Sequence, residues 1–169
     1  MICTEHPLPA ETHGTAGTWN FEEAQVYPDA EDNVHAMWMG SDNMPYYSYS
    51  MDEGDTWSEP LMVAPPIGLN GTGFPVIAAG GAGQVALGYL GDSGGDPWNG
   101  YLTVLSDAFS PQPLKTTVQV NACGDPLDTS ADCGYNQCAV VGWYHDLYYD
   151  HQRRAWFSRR HQVRGDNYY

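Results

Sequence analysis

From Phe21 onward the chain runs in short apolar stretches separated by polar turns. Phe21 to Tyr27 predicts a first strand and Pro28 to Asn33 a polar turn. Val34-His35-Ala36-Met37-Trp38-Met39-Gly40 predicts a second strand, with bulky residues at successive positions as burial on both faces requires. Met44 to Met51, rich in tyrosine, predicts a third strand. Pro60-Leu61-Met62-Val63 predicts a short fourth, ended by Pro65-Pro66. Four antiparallel strands in about 45 residues form one compact sheet unit.

The same order then recurs. Val76 to Ala79 reads as a first strand, Gly80-Gly81-Ala82-Gly83 as the turn, and Val85 to Gly91 as the second strand. Val34, Trp38, Met39 and Gly40 match Val85, Tyr89, Leu90 and Gly91 at one constant offset of 51 residues, which is an internal repeat. Tyr101 to Leu105 predicts the third strand, Ser106-Asp107-Ala108-Phe109 the following turn, and Pro113-Leu114 with Thr116 to Val120 the fourth strand. A third repeat begins at Leu147-Tyr148-Tyr149, turns at Asp150 to Arg153 and continues in Arg154 to Ser158. The Gly-rich run from Gly71 to Gly83 lacks the strand-loop-helix setting, the GxGxxG spacing and the lysine of a phosphate loop, so a nucleotide site is not expected.

Between the third and fourth strands of the first repeat stands Ser50-Met51-Asp52-Glu53-Gly54-Asp55-Thr56-Trp57, with the pattern Ser-x-Asp-x-Gly-x-x-Trp. Asp52 is short enough to accept hydrogen bonds from backbone N–H groups further on, and Gly54 supplies a positive-φ position. Ser50 adds a hydroxyl to the turn, and Trp57 can fold beneath it as a lid. This stretch resembles the Asp-box of sialidase-like β-propellers, the BNR repeat proteins, in which the box is structural and lies at a blade rim.

The resemblance implies an all-β fold: a β-propeller of four-stranded antiparallel blades, with about two and a half blades in this chain. Residues 1–20 form an irregular opening segment, 21–66 a blade with the Asp-box, and 67–120 a second blade with a degenerate box. Residues 121–146 form a cysteine-containing insertion and 147–169 the start of a third blade. Propellers close with roughly 4–8 blades. A ring of about six or seven would be completed by further blades or flanking chain, which are the first expected partners. Sialidases of this fold carry a Phe/Tyr-Arg-Ile-Pro motif and three arginines that clamp a sugar carboxylate. No arginine precedes Arg153 here, so no catalytic residue is carried over.

The resulting expectation is a non-catalytic propeller segment of an exported or surface protein, acting as a scaffold or as a carbohydrate- or protein-binding module. The alternative is a fragment of a sialidase-type glycoside hydrolase whose catalytic residues lie outside this chain. Two carboxylates can hydrolyse a glycoside without an arginine clamp, but here they concentrate in turns, where water keeps their pKa ordinary. Trp38, Tyr46, Tyr47 and Tyr89 read as blade core rather than as a sugar-binding surface.

Composition fits the all-β reading: 12 Tyr, 6 Trp and 4 Phe, with 19 Gly and 12 Pro as punctuation. Charge adds an exclusion. The net charge is −15; Asp166 is the only one of the 21 acidic residues beyond residue 150, and Lys115 is the only base before Arg153. Such a field repels nucleic acid and anionic membrane surfaces. A solvated acidic coat is the simplest account. No cofactor is expected; the alternative is calcium held by clustered carboxylates such as Asp52, Glu53 and Asp55, which lack the ordered spacing of an EF-hand.

Cys123, Cys133 and Cys138 fall in the insertion, and Cys3 lies near the start. A zinc site there would have to recruit His145, since no close CxxC spacing exists. In view of the resemblance to exported propellers, a Cys133–Cys138 loop disulfide is expected, with Cys3 and Cys123 either paired or free. His6 and His13 sit among Pro7, Pro9, Gly14 and Gly17 and read as loop histidines. Asn70-Gly71-Thr72 is a glycosylation sequon. No run of about 18 apolar residues occurs, so no membrane span is expected. Met1 to Gly17 has no basic start or apolar stretch. Either a leader lies outside the chain or the protein stays inside; extracellular or cell-surface placement is the expectation from the resemblance.

Overall fold

The computed structural model describes residues 24–65, 68–93, 97–122, 127–128, 145–149 and 155–159. Strands β1 (Gln25–Pro28), β2 (Val34–Met39), β3 (Pro45–Ser50) and β4 (Leu61–Met62) form one antiparallel sheet in chain order. Strands β5 (Gly71–Ala79), β6 (Val85–Asp92), β7 (Pro97–Leu105) and β8 (Lys115–Gln119) form a second in the same order. β9 (Leu127–Asp128) adds to the first residues of β7, and β10 (His145–Tyr149) pairs with β11 (Ala155–Arg159) as a separate hairpin. Among the described residues there is no helix, and hence none long and apolar enough to cross a membrane. Cys3, Cys123, Cys133, Cys138, His6 and His13 lie outside the described residues; His145 opens β10.

The repeat extends to single hydrogen bonds. In the first β1–β2 turn Asp29 N–H donates to Asn33 O at 2.8 Å; in the β5–β6 turn Gly80 N–H donates to Gln84 O at 2.8 Å. The left-handed residue of each turn also coincides at the repeat offset, Asp32 at φ 64° and Gly83 at φ 69°. Val34 pairs with Ser50 and Val85 pairs with Leu105, so Leu105 is the counterpart of Ser50 and Asp107 that of Asp52. Asp52 O accepts from Asp55 N–H as Asp107 O accepts from Ser110 N–H. Ser106 is therefore one place out of register with Ser50. The second turn loses the serine and keeps the aspartate.

β5 begins at Gly71 rather than Val76 and absorbs part of the Gly-rich run. It gains those residues because the β6–β7 hairpin is longer than β2–β3 and offers pairing partners as far as Asp92. A register shift between Gly73 and Val76 accommodates Pro75, which has no N–H to donate, and Phe74 stands at φ 57° beside it. β9 had no counterpart in the sequence reading.

The two sheets share one core. Met37, Met39, Tyr47 and Val63 from the first meet Ile77, Val85, Leu87, Tyr89, Tyr101 and Leu105 from the second. β2 and β6 are buried along almost their full length, which explains why their sequences are continuously bulky rather than alternating. Each fully buried large apolar side chain contributes about 1.5–3 kcal/mol. Polar ties cross the same seam: Tyr89 Oη donates to Val63 O at 3.1 Å, Thr72 Oγ1 to Asn43 O at 2.7 Å, and Lys115 Nζ to Met62 O at 3.3 Å. Trp38, Tyr47 and Tyr89 are buried, as the sequence suggested, whereas Tyr46 is half-buried and its hydroxyl donates to the exposed Asp42.

Candidate functional site

Two polar constellations stand out, and both lie in the first sheet. The Ser50–Trp57 turn closes around its own side chains. Ser50 Oγ accepts from Gly54 N–H at 2.8 Å and donates to Asp52 Oδ1 at 2.7 Å. Asp52 Oδ1 also accepts from Thr56 N–H at 2.8 Å, and Oδ2 from the Thr56 hydroxyl at 2.6 Å. Gly54 sits at φ 97°, the conformation for which glycine was expected, while Glu53 takes a left-handed φ of 60°. The bonds from Thr56 and Ser50 hold the exposed Asp52 carboxyl below its ordinary 3.8. Trp57 is half-buried with its indole Nε1 buried and lacking a hydrogen-bond partner.

Thr56 went unnoticed in the sequence although it supplies two of the turn's bonds. Its signal was there: a hydroxyl residue four places after Asp52 can return both its N–H and its O–H to one carboxylate. Asp52 accepts from the Ser50 hydroxyl, the Thr56 N–H and the Thr56 hydroxyl. Among the described residues no three His, Cys, Asp or Glu side chains converge in a metal-holding group.

The second constellation is buried. Asp29 opens the β1–β2 turn, where its Oδ1 accepts from the N–H groups of Glu31 and Asn33 at 2.8 and 3.0 Å. The Asn33 amide reaches both carboxylate oxygens. His35 Nε2 lies 3.2 Å from Asp29 Oδ2, and His35 Nδ1 lies 2.7 Å from Tyr47 Oη. The side chains of His35 and Asp29 are both wholly shielded from solvent. An ionised carboxylate only accepts, so the network assigns the proton to Nε2, and Nδ1 accepts the Tyr47 hydroxyl.

Burial pushes Asp29 up, but the bonds from Asn33, Glu31 and His35 outweigh it and hold its pKa below 3.8. Burial dominates at His35 and lowers its pKa below 6.5 against the pull of Asp29, so the imidazole is neutral at pH 7. Burial raises Tyr47. The ring of Phe109, from the β7–β8 turn of the second sheet, stacks on His35 at 5.8 Å and meets Tyr49 edge-on at 4.9 Å.

This is an Asp–His–Tyr chain of the kind that can orient a base, yet every member is sealed from solvent, so its chemistry is that of a satisfied core network. Sequence reading passed over it because its three residues sit in ordinary strand and turn positions. No protein-family model, curated protein or solved structure matches this chain.

Proposed function

We propose that the chain is a segment of an Asp-box β-propeller from an exported or surface protein, its two sheets acting as successive blades of a non-catalytic scaffold or binding module. One observation carries this reading: the Ser50–Trp57 turn spends its hydroxyls and carboxylate on one another and on its own backbone, and its aspartate recurs as Asp107 at the equivalent turn of a second, identically ordered sheet. A turn whose polar side chains bond one another and their own loop, with its aspartate kept at the equivalent corner of the next sheet, is a structural device. A glycosidase would instead need carboxylates converging on one sugar with displaced pKa values. Asp52 is displaced only downward, by its own turn, which suits neither a general acid nor a base near pH 7.

The test is incubation of the protein with a fluorogenic sialoside and a panel of aryl glycosides, alongside binding to immobilised glycans. Background turnover with unchanged or measurable glycan retention supports the reading. Turnover abolished by a single carboxylate substitution refutes it in favour of a sialidase-type hydrolase.

A further inference from the structure

The two sheets end differently at their outer edges. β4 is only two residues long and is guarded by Pro60 and Pro65, a short proline-flanked edge of the kind that discourages pairing. β8 is five residues long, and no described strand pairs its outer side. Thr116, Val118 and Gln119 are exposed, and past Lys115 the strand carries no charge. Lys115 itself is turned back to donate to the carbonyls of Met62 and Ala64. Val118 and Val120 remain 49% and 37% exposed, although Val63, which the repeat places level with Val120, is fully buried under the second sheet.

Charge points the same way. In a chain of net charge −15, the stretch from Ala108 to Gly124 holds no acidic residue, so a second, equally negative molecule can approach β8 without meeting a carboxylate on the strand itself. The strand is also self-complementary. Val120 N–H donates to Gly100 O at 2.9 Å, so even-numbered residues bond to β7 and the N–H and C=O groups of Thr117 and Gln119 face outward.

We propose that β8 is a homodimerisation edge, pairing antiparallel with β8 of a second copy about a two-fold axis through Val118. Thr117 of each copy then exchanges backbone hydrogen bonds with Gln119 of the other. Thr116 faces Val120, and Lys115 faces Asn121 rather than another lysine, so no like charges stand opposite each other. The pairing joins the two four-stranded sheets edge to edge into one continuous sheet. It uses only the sheet edge and stands whether or not the sheets are propeller blades.

Sedimentation velocity across a protein dilution series tests it with the whole chain. The native protein is expected as a dimer that dissociates on dilution and tightens with added salt, as screening relieves the mutual negative charge. Val118→Lys places two ammonium groups across the axis, and Gln119→Pro removes an outward N–H without touching the β7 ladder. Each should shift the dissociation constant at least tenfold while the circular dichroism spectrum stays that of the native chain. A native protein that stays monomeric at all concentrations overturns the proposal and leaves the edge to another polypeptide. So does a dimer indifferent to both substitutions.

Discussion

Tyr47→Phe isolates one hydrogen bond in the core. The change keeps the ring, and with it the packing on Met37, Val63 and the second sheet, but deletes the only hydroxyl that the structure places on His35 Nδ1, at 2.7 Å. Nδ1 then remains as a buried acceptor with no donor, a loss worth about 1–3 kcal/mol. Equilibrium urea unfolding should show a lower midpoint at an unchanged m value, since the surface exposed on unfolding is the same. The double variant His35→Phe/Tyr47→Phe removes both partners, and Asp29 keeps its bonds from Glu31 and Asn33. It should therefore recover part of the loss, giving a coupling between the two sites.

A pH series adds a second reading of the same network. The folded His35 pKa lies below 6.5, so as pH falls the unfolded chain binds the proton first, and stability present above pH 6.5 declines below it. The folded Asp29 pKa lies below 3.8, so its contribution is present above that value and is lost as pH falls further. In the window from pH 6.5 down to the ordinary carboxylate range His35 contributes a slope of this sign, and that contribution should be lost in His35→Phe. A Tyr47→Phe cost under about 0.5 kcal/mol, or a native protein whose stability is flat across that window, would refute the network as described.

Asp52→Ala should lower the thermal midpoint by freeing the Thr56 N–H and hydroxyl and the Ser50 hydroxyl, and Asp52→Asn, which keeps one acceptor oxygen, should fall between the two; calorimetry orders the three. Gly83→Ala forces a Cβ onto a residue at φ 69°, 3.3 Å from the Phe109 ring, and should cost about 1–3 kcal/mol in urea unfolding. Leu87→Ala empties a fully buried position between the sheets and should cost about 2–5 kcal/mol by the same measurement.

The strand order of both sheets was legible because each strand is a short bulky run bounded by turn residues, and because one offset aligned the two runs. Strand ends were less legible where pairing depends on a neighbour. Gly71 and Gly73 have no strand propensity of their own and join β5 only because Asp92 and Leu90 lie opposite. The Ser50–Trp57 turn could be read almost completely, since its bonds are local. His35 could not: its partners stand six and twelve residues away, and Phe109, which covers it, belongs to the other sheet. Local chemistry is written in adjacent letters, whereas a buried network depends on register and sheet packing.

Counting from Asp52 and Asp107, Phe109 occupies the place that Gly54 holds in the first turn. The substitution that spoils the second turn as a motif is the one that delivers an aromatic ring to His35 and a carbonyl to the Tyr49 hydroxyl. The two repeats have thus ceased to be interchangeable parts. Exchanging their turns would leave the first unit without its plug and set a phenylalanine where the chain needs φ 97°. An array built by copying either unit alone would lack this lock, so the order of units along the chain is itself encoded in which turn has diverged.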